Sequence, residues 1–384
     1  QMVATPGQGK FGKAGDKFWK AVRARTGMQV MFLNVTNTLQ QFTGLTIAAV
    51  KVKPRYLRNA LWALMKSPFD SAEAIGEKSA FMKARMSNQM SDVQGNIEEL
   101  ILEPTKFETL RKFSQKNAYA LQSMTQNIVD TMVWTGAYNQ ALEAGSTDKD
   151  AIRIANDAVI ETQGGMNPED ISRFEASGSF ARAFSMFYSY FNMQYNLLSS
   201  EAIKVTQADL GLLPTASRLF FIYAAGFMMP AVLSEMLVKT MSGSFDDDDD
   251  DEYMDDFTSA FFWSQFRSGT ALFPVVGPVV SATVNSANDK WYDDKITTSP
   301  IISMAESATV GNAKNMLAIM DGRDVSGKKV IRDALTAVGM LSGIPAAALS
   351  RPLGYLSDVS EGNTEPANPV DFARGVLTGK APKK

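Results

Sequence analysis

Histidine and cysteine are both missing from the 384 residues, so any chemistry would have to rest on carboxylates, lysines, hydroxyls or tyrosines. Without sulfur there is no disulfide framework, no thiolate nucleophile and no zinc site of the usual kind. Without imidazole, the side chain that titrates near neutrality and binds most transition metals is gone as well. What remains is scattered. "GQGKFG" at 7–12 has the glycines and lysine of a phosphate loop, but the Gly-to-Gly-Lys-Ser/Thr spacing is wrong and no strand precedes it. "ETQGG" and "IEEL" carry carboxylates with nothing to place two of them in different environments. "DGRDVSGKK" reads as a turn of mixed charge, and isolated Ser and Lys residues make no nucleophile pattern. The run "FDDDDDDEYMDDF" repels itself and lacks the loop pattern of a calcium site, so a solvated acidic loop is expected at 246–256. We expect no enzyme, no cofactor and no metal.

Charge is more informative when divided. Residues 1–66 hold eleven Lys and Arg against Asp16 alone, while residues 241–300 hold twelve acids against three bases. Such a dipolar chain suits a polyanionic partner at its basic end. Lys10, Lys13, Lys17, Lys20, Arg23 and Arg25 are the candidate contacts to phosphates or to an anionic surface, with Phe11, Phe18 and Trp19 available for stacking or interfacial anchoring. The plainer reading is a solvated tail followed by a helix docked through Phe18, Trp19 and Val22.

The elements that must position these residues all read as helices. Residues 1–15 form a flexible basic arm, rich in glycine, and Asp16 is placed to cap "KFWKAVRART", which Gly27 ends. "MQVMFLNVTNTLQQFTGLTIAAVKV" resumes with a break at Gly44 and an end at Pro54. "RYLRNALWALMKS" puts Leu57, Leu61 and Leu64 on one face, and "DSAEAIGEKSAFMKARMSNQMSDVQGNIEELILE" is one run of good helix formers. A stripe of Phe107, Leu110, Phe113, Tyr119, Met124, Ile128, Met132 and Val133 follows. Thr147 caps the next helix with Asp150 three residues on, Gly164 closes it, and Asn167–Pro168 start another. No stretch alternates at period two. The expected fold is all-α: an elongated multi-helix bundle with the basic arm (1–15), a helical domain (16–210), an apolar helical hairpin around the acidic loop (211–290), and short helices with an irregular tail (291–384).

Phe180, Phe184, Phe187, Phe191, Tyr195 and Leu198 recur at spacings of 4, 3, 4, 4 and 3, one continuous helix face. Large aromatics at helical period ordinarily bury in a core. Tyr188, Tyr190, Met186 and Met193 widen the arc, which favours a central helix or packing against a second chain. Residues 219–233, "LFFIYAAGFMMPAVL", are apolar but fall short of the roughly 20 residues a bilayer span needs, and Pro230 is expected to kink them. "SAFFWSQFRSGTALFPVVGPVVSATV" is interrupted by Arg267, Pro274 and Pro278. Leu219, Phe220, Phe221, Phe227, Phe261, Phe262 and Trp263 are the candidate membrane contacts of these two segments, whose other reading is protein core.

"NVTNTLQQFTGL", "EKSAFMKARMSNQ", "ANDAVIETQGGMNPEDISRFEASGSFARAFSMFYSYFNMQYN" and "NPVDFARGVLTGK", in this order over residues 30–380, resemble the C-terminal portion of giant polyvalent and internal virion (ejection) proteins of tailed bacteriophages. The resemblance implies a helical, non-enzymatic module of a longer polypeptide, with no active-site residue carried over. It implies packaging in the virion inside the capsid, then passage to the host cell envelope or cytoplasm during DNA ejection. Its partners would be copies of itself as a homo-oligomer and other phage virion proteins (portal, tail or ejection proteins), with DNA contact and conditional host membrane contact. The alternative is an injected DNA-binding factor for antirestriction or DNA protection. Local helical contacts and 21 methionines suit a protein that must rearrange and repack.

Overall fold

Backbone hydrogen bonding closes locally throughout the described residues. The computed structural model describes residues 12–32, 34–87, 120–164, 188–242, 304–305, 307–321 and 326–379, and among these every regular element is a helix, as the periodicity requires. Helix α1 spans Gly12–Met31, α2 Val35–Gln40, α3 Gly44–Ala48, α4 Pro54–Lys66 and α5 Pro68–Lys78, with α6 over 80–87. Then come α7 (Ala120–Glu143), α8 (Asp148–Gln163), α9 (Tyr188–Gln207), α10 (Leu212–Tyr223) and α11 (Met229–Ser242). After them lie α12 (Asn312–Met320), α13 (Gly327–Ser342), α14 (Ser350–Ser360) and α15 (Pro369–Thr378).

The ends of these helices follow local chemistry. Pro54 and Pro68 each sit in a first turn, where the missing N–H is no loss. Thr147 Oγ1 accepts from the backbone N–H of Asp150 and donates to that residue's carboxylate at 2.8 Å. This is the capping pair read from the sequence, closed through the hydroxyl. Gly164, at φ +85°, ends α8. Asn368 Oδ1 accepts from the N–H groups of Val370 and Asp371, both at 2.9 Å, and Gly379 closes α15 in the left-handed region.

Helix α7 is the spine of the main core. Residues 129–134 are buried consecutively, all the way round the helix, because α4 covers one side and α8 another. Val129, Val133, Trp134 and Ala137 meet Val52, Tyr56 and Leu57 from one direction and Ala155, Ala158 and Val159 from the other, with Ile75 and Met82 closing the end. Gly136 permits the approach of α4: a methyl there would stand 3.1 Å from Val52 Cγ1 and 3.3 Å from the Tyr56 carbonyl carbon. Asn156 Oδ1 accepts from both Trp134 Nε1 and Ser79 Oγ, each at 2.8 Å, so the one indole N–H in this core is satisfied.

The C-terminal helices gather around α13, against which α12, α14 and the 3-10 turn Ala346–Leu349 pack. Helix α1 joins this group, with Ala24, Thr26, Met28 and Gln29 buried. Tyr355 of α14 is fully buried under Gly375 of α15 and lies 5.9 Å, centroid to centroid, from the Phe372 ring.

Several local expectations are overturned. Gly27 does not end the first helix, and Asp16 lies inside it rather than capping it. A mid-helix glycine is less favourable than alanine by about 1 kcal/mol, less than burying Met28 alone contributes. Gly44 is no break either. It is helical, and it makes room for Gln163, whose Nε2 donates to its carbonyl at 3.1 Å. The helix expected from residue 70 onward is divided at Ser79, which is extended and whose Oγ accepts from the N–H of Met82 to start α6. Leu61 and Met124 face outward, away from the stripes assigned to them. Within the tail expected to be irregular, residues 346–360 are helical, and Pro352 falls in the first turn of α14, where proline is tolerated.

Candidate functional site

The six cations of the N-terminal region do not share one role. Lys10 lies outside the described residues and Lys13 belongs to the start of α1; Lys17 is exposed, and Lys20, Arg23 and Arg25 are half-buried. Arg25 Nη1 donates to the carbonyl oxygen of Met340 at 2.9 Å, which spends that guanidinium on the seam between α1 and α13. Phe18 is exposed, edge-on to the Trp19 ring at 5.3 Å.

Of the aromatic stripe, Phe180, Phe184 and Phe187 lie outside the described residues, and Phe191 belongs to α9. Helix α9 buries Gln194, Leu197 and Val205, whereas Tyr195 is 58% exposed and Leu198 half-buried. Thus the face turned to this chain's own core is rotated from the one that carries Tyr195. Phe261, Phe262 and Trp263, like the acidic loop 246–256, also lie outside the described residues.

The apolar segment 219–233 belongs to a longer helix than its composition suggested. Helices α10 and α11 are continuous through a π-turn at Ala224–Met228, where the N–H of Met229 reaches back to the carbonyl of Ala224. Residues Leu212–Ser234 make 23 residues of mean hydropathy 1.5 over the best window, long and apolar enough to cross a bilayer by length and composition, and 39% of that window is buried within the chain. Pro230 does not stop it. Proline leaves one upstream carbonyl without its donor, and here the buried amide of Gln194 donates from α9 to the carbonyl of Gly226. The two helices come close because Gly226 has no side chain: a methyl there would overlap Leu198 Cδ2 and stand 3.2 Å from Val50 Cγ2. Gln194→Met keeps the volume but removes the donor. We expect it to lower stability by about 1–3 kcal/mol, the penalty of a buried unsatisfied carbonyl, with faster amide exchange across 224–231. Unchanged urea unfolding would show that another donor reaches Gly226.

Along this helix the burial is uneven. Ile222, Ala225, Phe227, Ala231 and Val232 face the protein, while Leu212 (86% exposed), Leu213, Phe220 (65%), Phe221 and Tyr223 face outward and Leu219 is intermediate. The candidate membrane contacts are therefore split, with Phe227 in the core and Phe220 and Phe221 outside.

Two ionic clusters hold these layers together. The Arg85 and Asp130 side chains are 4% and 0% exposed, with Arg85 Nε 2.7 Å from Asp130 Oδ2. Arg85 Nη1 also donates to the carbonyl of Gly164 at 2.6 Å, placing a cation at the C-terminus of α8 where the helix dipole favours one. Gln126 Nε2 donates to Asp130 Oδ1 at 2.9 Å. The second cluster centres on Lys51, which pairs with Glu161 on α8 and, at 2.6 Å, with Glu201 on α9. Burial works against the Lys51 charge, but Glu161 and Glu201 outweigh it and hold its pKa above the ordinary value. Burial likewise opposes ionisation of Glu201, and Lys204 and Lys51 overcome it, holding that carboxyl below its usual range. Both clusters are satisfied from within, which makes them joints between helices. Among the described residues no group of three or more carboxylates gathers as a cation site.

Comparison of the chain with family models, curated proteins and solved structures found no match. The joints were not read from the sequence, although each left a trace. Asp130 is a lone acid in the apolar run "NIVDTMVW", and Pro230 in "GFMMPAVL" announces a carbonyl that needs a donor from elsewhere.

Proposed function

We propose that this chain is a non-enzymatic helical segment of an internal virion or ejection protein of a tailed bacteriophage. It assembles with copies of itself or with other virion proteins, such as portal, tail or ejection proteins, and assists delivery of the genome through the host envelope. The observation that carries the reading is the helix Leu212–Ser234, anchored through Phe227, Ala231 and Val232 yet presenting Leu212, Leu213, Phe220 and Phe221 to solvent. A row of large apolar side chains left open on a helix of membrane length calls for an apolar partner, a protein face or a bilayer. The sequence resemblance supplies the setting, inside the capsid first and at the envelope later.

The test is mass spectrometry of purified virions combined with native mass measurement of the isolated chain. Detection in the particle, with an oligomer that Phe220→Ser/Phe221→Ser dissolves, is the expected result. A chain that is monomeric, missing from particles, and binds duplex DNA in a salt-sensitive way would favour the injected DNA-protecting factor instead.

A further inference from the structure

Helix α4 presents a second open face, on the other side from its core contacts. Its sequence, PRYLRNALWALMK, buries Tyr56, Leu57, Ala60 and Leu64 against α7 and its neighbours. On the outward arc Leu61 (40%), Trp62 (58%) and Met65 (66%) are exposed side by side, at spacings of one, three and four. Arg58 is one turn from Trp62 on the same arc, and Lys66 follows Met65 at the helix end. Both are exposed, and neither makes an ion pair or side-chain hydrogen bond among the described residues. Residues 53–66 contain no acid. Arg55, by contrast, is engaged with Glu143 at 2.5 Å and stacks over the Tyr56 ring at 4.5 Å.

We infer that this face of α4 docks on an anionic lipid surface, with Leu61, Trp62 and Met65 entering the headgroup boundary and Arg58 and Lys66 pairing with lipid phosphates. The chemistry selects this partner. A tryptophan between aliphatic side chains, edged by cations that pair with no acid among the described residues, is the make-up of a helix lying in the plane of an interface. At about 1.5 Å per residue, 13 residues reach roughly 20 Å, too short to span the hydrocarbon core of about 30 Å, so the helix lies on the surface. A nucleic-acid strand is the poorer fit, because Leu61 and Met65 offer no ring on which a base could stack. The inference stands apart from the assembly proposed above, since it concerns a different helix and needs no oligomer.

The experiment is flotation of the full chain with vesicles of phosphatidylcholine alone or mixed with phosphatidylglycerol, at low and at high salt. Binding is expected only to the anionic vesicles and should weaken as salt rises. Arg58→Gln/Lys66→Gln and Trp62→Ala/Met65→Ala should each reduce partitioning about tenfold or more, with far-UV circular dichroism unchanged because all four side chains are exposed. Phe220→Ser/Phe221→Ser serves as the comparison on the other apolar face. Equal binding to neutral vesicles overturns the inference. So does binding that survives both α4 variants, or that is lost in the Phe220/Phe221 variant alone. Affinity of the α4 variants reduced for single-stranded DNA but not for vesicles would reassign the face to nucleic acid.

Discussion

Asp130→Ala should lower the unfolding free energy by about 3–5 kcal/mol, the usual result of removing one partner from a buried ion pair. Asp130 is wholly buried and Arg85 nearly so, and their paired atoms are 2.7 Å apart. Once the carboxylate is gone, the guanidinium keeps the carbonyls of Gly164 and Gln163 but loses the acidic partner that balances its charge. Gln126 loses an acceptor at the same time. An uncompensated charge in so dry a place favours the unfolded chain, where water surrounds it. Urea unfolding followed by circular dichroism measures the difference. A loss under about 1 kcal/mol would mean that water reaches Arg85 and that the pair is not buried in solution. The double variant Arg85→Met/Asp130→Leu should recover most of the stability, because it removes both desolvation penalties together.

Gly375→Ala should undock the last helix. A methyl carbon built at Gly375 would sit 2.6 Å from Cε1 of Tyr355 and closer still to Cζ and Cε2. The phenol ring has no exposed side into which it could swing, and Phe372 packs beside it. Overpacking of this kind is unfavourable by about 1–3 kcal/mol, a large amount for a ten-residue helix at the edge of the described fold. Amide exchange should therefore rise across 369–378 while α7 stays protected, since α15 makes no part of the α7 core. Tyr355→Leu in the same chain opens space and should restore protection. If Gly375→Ala exchanges like the parent protein, the Tyr355 ring has room to move aside and α15 does not depend on this close contact.

The Arg85–Asp130 pair and the Gly375 contact join residues distant in sequence, unlike the signals that were readable in one dimension. Helix type and most helix ends follow from neighbours within a few residues: Thr147 with Asp150, Asn368 with Pro369, Gly164 and Gly379 in positive φ, and Pro54 and Pro68 in first turns. Those signals are legible because a helix end must satisfy its own backbone groups on the spot. Gly27 and Gly44 read as breaks and are not, and glycines inside helices have another use here. Gly27, Gly44, Gly136, Gly226 and Gly375 all lie within helices, and at Gly136, Gly226 and Gly375 the missing side chain lets another helix come close.

The outward faces were the harder matter. Leu61, Met124 and Tyr195 sit at positions that period alone would bury, yet all three are exposed. Periodicity states that a helix has an apolar side and leaves its rotation to the helices that arrive from far along the chain. Arg85 meets Asp130 across 45 residues, and Gln194 meets Gly226 across 32. The order of residues alone therefore determined an all-α chain without imidazole or thiol chemistry, together with where most of its helices start and stop, because those depend on bonds closed within a turn or two. Only the tertiary structure decided which apolar side chains stay open to a partner and which polar ones are locked inside, because burial is a property of surfaces brought together from distant parts of the chain.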